Sequence, residues 1–192
     1  FTGDGHYSIS VGCSDLAGHS GNTVTTEEFT IDMTKPEVVV TYDNNSAQND
    51  NYYDAERTAT IVVTEHNFDP SRVAIIGTAI DNGTEIAFPV VGDWFDNGDT
   101  HSASIYYSQD AHYTFDVEIT DKSGNTMNDF EAEEFVVDKT APTIEFSGVA
   151  DLSANNGDVV PVITYTDTNF NRDNVSVVLS GINNGQVSYP GY

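Results

Sequence analysis

The feature that most constrains this chain is an internal repeat. Residues 112–142, HYTFDVEITDKSGNTMNDFEAEEFVVDKTAP, restate residues 6–36, HYSISVGCSDLAGHSGNTVTTEEFTIDMTKP, without a gap. At a constant offset Tyr7 corresponds to Tyr113, Asp15 to Asp121, Phe29 to Phe135, Asp32 to Asp138 and Pro36 to Pro142. A unit that recurs at such a spacing is a module in a serial array. Each copy opens on a strict alternation. Tyr113, Phe115, Val117 and Ile119 are predicted to face inward, with Thr114, Asp116, Glu118 and Thr120 outward. This is the period of a half-buried strand. Tyr7, Ile9, Val11 and Cys13 repeat the pattern in the first copy. A turn follows in each, Asp121-Lys-Ser-Gly-Asn125 and residues 15–22, then a second strand, around 25–31 in the first copy. Pro36 and Pro142 close the copies, since proline has no N–H to give a ladder.

Between the copies the same punctuation continues, which divides the chain into residues 1–34, the C-terminal part of one module, residues 35–139, a complete module, and residues 140–192, the N-terminal part of a further one. In the complete module Val38 and Val40 open the first strand, and residues 43–54 read as an Asn/Asp-rich loop. Ala59, Ile61 and Val63 form the inward set of the second strand. Val73 and Ile75 belong to a third strand, and Asp81-Asn82-Gly83 is a hairpin turn. A strand over 85–91, a loop over 92–100 and a strand over 102–107 precede the repeated unit. The sum is about seven short strands, and the expected fold class is all-β, a two-sheet sandwich per module. In the last segment Ile144 and Phe146 correspond to Val38 and Val40, Asp167 to Glu65, and Asn183-Asn184-Gly185 to the hairpin turn. The two ends are therefore complementary halves of one module. They either pair with each other, within a molecule or by strand exchange between neighbours, or belong to a longer array.

The balance of charge narrows the partners. With 31 acidic against 6 basic side chains, a net charge of -25, the chain is a poor match for nucleic acid or anionic membrane, both of which reward basic patches. No apolar run is long enough to span a bilayer, so membrane insertion is not expected. The single cysteine excludes an intrachain disulfide. Cys13 corresponds to Ile119, which predicts a buried thiol used as a small hydrophobe.

Taken together, the strand at 113–120, the D-x-x-G-N turn at 121–125 and the sequence Phe135-Val-Val-Asp-Lys-Thr-Ala-Pro142, with their first copies at 15–22 and 29–36, resemble the bacterial immunoglobulin-like repeats of Gram-positive and gut-commensal surface proteins. The resemblance covers nearly the whole chain. It implies immunoglobulin-like β-sandwich modules in tandem, about seven strands each. It also implies an extracellular location, on the bacterial cell surface or cell wall or secreted, and neighbouring modules of the same kind as partners. Asp4-Gly-His-Tyr7 and Asp110-Ala-His-Tyr113 resemble the tyrosine corner of that fold, though the disulfide pair of antibody domains is absent.

No nucleophile with its base, phosphate loop or metal-binding His/Cys motif is legible, so an enzyme is not expected. No cofactor is expected either, calcium being the one ion this acidity suits. Asp93, Asp96 and Asp99 offer hard oxygen ligands on one loop. A junction site would pair Asp32 or Asp138 with Glu65 or Asp167. The plainer reading of these residues is turn formation on a solvated surface. Trp94 with Phe95, and Tyr106 with Tyr107, are the candidate binding residues. Trp94 serves either a partner or the capping of the sandwich. The leading expectation is a non-enzymatic surface repeat protein whose modules display a binding surface for a host extracellular protein or glycan, with host immunoglobulin a candidate implied by the resemblance. The alternatives are a purely structural stalk and an accessory module of a secreted carbohydrate-active enzyme.

Overall fold

The computed structural model describes residues 1–183 and 186–188; the expected turn at Asn184-Gly185 lies outside the described residues. The protein is all-β: among the described residues, regular structure apart from two short 3-10 turns is strands. It divides into two compact units, Phe1–Lys139 and Thr140–Tyr192.

In the first unit, β1 (Gly5–Val11) and β2 (Val24–Ile31) form a two-stranded antiparallel hairpin. Then come β3 (Glu37–Tyr42), β4 (Tyr52–Tyr53), β5 (Arg57–Thr64), β6 (Val73–Asp81), β7 (Thr84–Glu85), β8 (Phe95–Asn97), β9 (Thr100–Tyr107), β10 (Ala111–Ile119) and β11 (Glu133–Val137). They build a four-stranded sheet, order β3-β5-β9-β8, and a five-stranded sheet, order β4-β11-β10-β6-β7. All pairings are antiparallel except β11 with the short β4.

The predicted alternation is the register of the core. Ala59, Ile61 and Val63 of β5 and Phe115, Val117 and Ile119 of β10 are buried in a single hydrophobic cluster contributed by both sheets. The sheets thus face each other across one core in a sandwich-like arrangement. Tyr107 stands edge-on to Tyr113 and Phe135, each at 4.9 Å between ring centroids. Gly77 of β6 is required here, because a Cβ on it would lie 2.5 Å from the Phe88 ring and 2.6 Å from the Thr114 carbonyl. At the other end the buried Arg57 guanidinium lies 3.9 Å from the ring centres of both Tyr42 and Tyr53, with Nε donating to the Asn44 carbonyl at 2.9 Å. Aromatic faces thus replace part of the hydration lost by a buried cation.

Turn chemistry follows the sequence. Asn82 and Gly83 both take positive φ, 45° and 76°, the requirement of a two-residue type I′ hairpin. Both copies of the repeat carry the tyrosine bond to the backbone: Tyr113 Oη donates to the Gln109 carbonyl at 2.9 Å and Tyr7 Oη to the Gly3 carbonyl at 2.6 Å.

Four expectations are corrected. The strand expected over 85–91 is reduced to Thr84–Glu85 and an isolated bridge from Val91 to Ile105, because Pro89 interrupts the ladder and Phe88 turns into the core. The stretch over 92–100 is a hairpin rather than a loop, with Gly98 in the left-handed region at its tip. The loop over 43–54 holds a short strand, β4, at its end. Cys13 is exposed, not buried, because β1 ends at Val11 and, within the first unit, no described sheet faces its apolar side as β5 and β9 face β10.

In the second unit, β12 (Thr143–Ser147) pairs with β13 (Val162–Thr166), and β14 (Gly181–Asn183) with β15 (Gln186–Ser188). The 3-10 turn at Arg172–Asn174, capped by Asn171, restates that at Pro70–Arg72, capped by Asp69.

Candidate functional site

The period of two on β9 separates the two candidate tyrosines. Tyr107 is 0% exposed and belongs to the core; Tyr106, one residue earlier, is 54% exposed on the outer face. Trp94 is half-buried against Phe68 at 4.9 Å between ring centres, and Phe68 stacks on His101 at 4.2 Å. Trp94 therefore closes that end of the core, while its neighbour Phe95 is 69% exposed.

Phe95 pairs with Ser102, which puts it on the same outward face as Tyr106. The registers complete that face: Val39 and Thr41 on β3, Thr58, Thr60 and Val62 on β5, and Ser102 and Ser104 on β9. Glu37, opposite Thr64 at the start of β3, is the one charged side chain that the strand registers place on that face. Val39, at 58% exposure, adds a third exposed apolar group to Phe95 and Tyr106. The outer face of the five-stranded sheet is more heavily charged, although Ile76 and Ile80 are exposed on it. It carries Asp116, Glu118, Glu134 and Glu85, with His112 Nε2 2.7 Å from Glu134 Oε1.

A second region lies where the β1–β2 hairpin leads into the two-sheet body. Here a groove of about 520 Å³ is lined by Asp4, His6, Asp32, Glu65, His66 and Asp99 among others. Asp32 Oδ2 accepts from Asn67 Nδ2 at 2.7 Å and its carbonyl accepts from Asn125 Nδ2 at 3.0 Å, while Lys35 Nζ donates to Asn128 Oδ1 at 3.2 Å. These bonds tie the exit of the hairpin to the loops after β5 and β10.

At the same place the carboxylates of Asp32, Glu65 and Asp121 converge, with one oxygen of each lying within 4.8 Å of the others. Glu65 Oε1 accepts from the Asn67 N–H at 2.7 Å, and Asp121 accepts from the backbone and side-chain nitrogens of Asn125 at 2.9 and 2.8 Å. Burial, reinforced by the charges of Asp32 and Asp121, holds the Glu65 carboxyl above its ordinary range. Burial also pushes the Asp121 carboxyl up, but its bonds from Asn125, Gly124 and Ser123 together outweigh that and leave it below the ordinary range.

The acids singled out by loop spacing do not converge in this way. Asp96 Oδ1 lies 2.6 Å from His101 Nδ1, and Asp99 Oδ1 lies 2.8 Å from His66 Nδ1, so two different histidines engage them. Asp93 is exposed. Sequence reasoning named Asp32 with Glu65 but missed Asp121, which reads in the sequence only as the first residue of a turn.

Compared with known proteins, the chain matches no family model, no curated protein and no solved structure.

Proposed function

We propose that this chain is a non-enzymatic stretch of a bacterial surface array of immunoglobulin-like modules, and that the outer face of the four-stranded sheet takes a folded host protein. The single observation that carries the reading is the face bearing Val39, Phe95 and Tyr106, on which Glu37 is the one charged strand residue, on a chain of net charge -25. A protein that is acidic almost everywhere repels most acidic partners. A face whose one charge sits at the end of its edge strand lessens that repulsion and desolvates cheaply, and its threonines and serines supply hydrogen bonds around aromatic anchors. The tyrosine bonds in both repeat copies support the immunoglobulin-like assignment. An open sheet face, with no pocket described on it, suits a protein better than a glycan. The inward turn of Trp94 also removes the ring best suited to stacking on sugar. Host immunoglobulin is the first candidate, on the resemblance of the repeat. The bonds joining the hairpin to the body support the stalk reading for the array as a whole.

The test is interferometry of immobilised residues 1–192 against purified serum and secretory immunoglobulin. Binding is expected to fall at least tenfold in Tyr106→Glu and Phe95→Glu, and to be unchanged in Glu118→Lys on the opposite sheet, with circular dichroism confirming the fold of each. Binding that survives both face variants would sink the assignment of the face. Absence of binding would leave the stalk.

A further inference from the structure

Asp32, Glu65 and Asp121 bring three carboxylates together with no cation bonded to them among the described residues. Among the described residues none of the three carboxylates takes part in an ion pair. Arg72 directs Nη1 to the Asp121 main-chain carbonyl at 3.2 Å and pairs with Asp69. His66 is turned to Asp99. Amide donors from Asn67 and Asn125 satisfy part of the cluster. One oxygen remains unsatisfied: Glu65 is only 4% exposed, and its Oε2 is shut off from solvent with no hydrogen-bond partner. A buried carboxylate oxygen without a donor is costly, and more so beside two further carboxylates.

We propose that Asp32, Glu65 and Asp121 form a divalent-cation site of the calcium class, which clamps the exit of the β1–β2 hairpin to the two-sheet body. The donors are all hard oxygens, the set calcium prefers. Two oxygens on one calcium, each at about 2.3–2.6 Å, span up to about 5 Å, which accommodates the 4.8 Å spread of the three ligand atoms. The ion supplies the positive charge that the cluster lacks and a partner for the orphaned Glu65 oxygen. Water in the adjoining groove completes the shell, since three carboxylates fall short of the six to eight ligands of calcium. The consequence is mechanical: the hairpin and the body are joined more firmly when the ion is bound. This site is separate from the sheet face and does not rest on its assignment.

The experiment uses residues 1–192, first stripped with chelator and then titrated with calcium or magnesium, with binding followed by calorimetry and thermal unfolding in parallel. Calcium is expected to raise the unfolding temperature by several degrees, and magnesium to raise it much less. Glu65→Gln and Asp32→Asn are each expected to bind one calcium fewer per chain than the native sequence and to lose the thermal shift. Asp93→Asn should leave both unchanged. Glu65→Gln distinguishes a lost ligand from a damaged fold. Without calcium it should unfold at a temperature no lower than the native chain, because it removes a repelling charge, and it should fall behind only when calcium is added. A calcium shift that persists in Glu65→Gln, no response to calcium in the native chain, or an equal response to magnesium would each overturn the proposal.

Discussion

The two copies of the repeat share a register and differ in what covers them. In β1–β2, Tyr7 lies opposite Phe29, and in β10–β11, Tyr113 lies opposite Phe135; both ring pairs are 5.5 Å apart. Both turns are held by their aspartate. Asp15 Oδ1 accepts from the Ala17 and His19 N–H groups, and Asp121 Oδ1 accepts from the Asn125 N–H. The inward residues then part company, Phe115 being 0% and its counterpart Ile9 40% exposed. Local pairing and turn chemistry thus hold without a facing sheet, whereas burial requires one. The same alternation that builds a core in one copy leaves an open apolar side in the other.

That contrast can be broken most sharply at the inward position. Phe115→Ala is expected to destabilise the first unit by about 3–5 kcal/mol through the cavity it leaves, whereas Ile9→Ala should change stability by under about 1 kcal/mol, both read from urea unfolding. Equal losses would mean that the first hairpin is buried in solution after all. Next in size is the turn. Asp121→Ala removes a buried anchor of two bonds and is expected to cost about 1–3 kcal/mol, with a smaller effect for Asp15→Ala at its exposed counterpart. Tyr113→Phe should cost about 1 kcal/mol by orphaning the Gln109 carbonyl, and Tyr7→Phe less, because water reaches Gly3.

The smallest effect is in pH dependence without divalent cations. Asp121, held below its ordinary value of 3.8, contributes stability that is present above that pH and lost as pH falls through its lowered folded value. Glu65, held above its ordinary value of 4.5, works in the other sense: stability declines as pH rises from 4.5 towards the raised folded value. Asp121→Asn should therefore flatten the acid limb of the stability curve, and Glu65→Gln should flatten the decline above it. Identical curves for Glu65→Gln and the native chain would show that Glu65 titrates normally.

Much of the fold is legible in the sequence because strand structure is a period of two with local punctuation. The inward sets of β5 and β10, the Asp81-Asn82-Gly83 turn and the tyrosine bond all depend on residues close in the chain or on the face they occupy. The strand expected over 85–91 failed where Pro89 and the inward turn of Phe88 outweighed an alternating pattern. Half of the candidate binding set, Phe95 and Tyr106, stands on an exposed face, whereas Trp94 and Tyr107 pack inward. Sequence could not separate Tyr106 from Tyr107 until the register of β9 was known.

What the sequence by itself determined is the all-β character of the chain, the alternation of its strands and the identity of its turns, since these rest on local stereochemistry. Only the tertiary structure decided which apolar faces find a partner. It left Cys13 exposed and Ile119 buried on equivalent positions, and it set Val39, Phe95 and Tyr106 on one outer sheet face. It also brought Asp32, Glu65 and Asp121 together from three separate loops. Such outcomes depend on what packs across ten ångströms or so of space between layers, a distance that no local pattern of residues encodes.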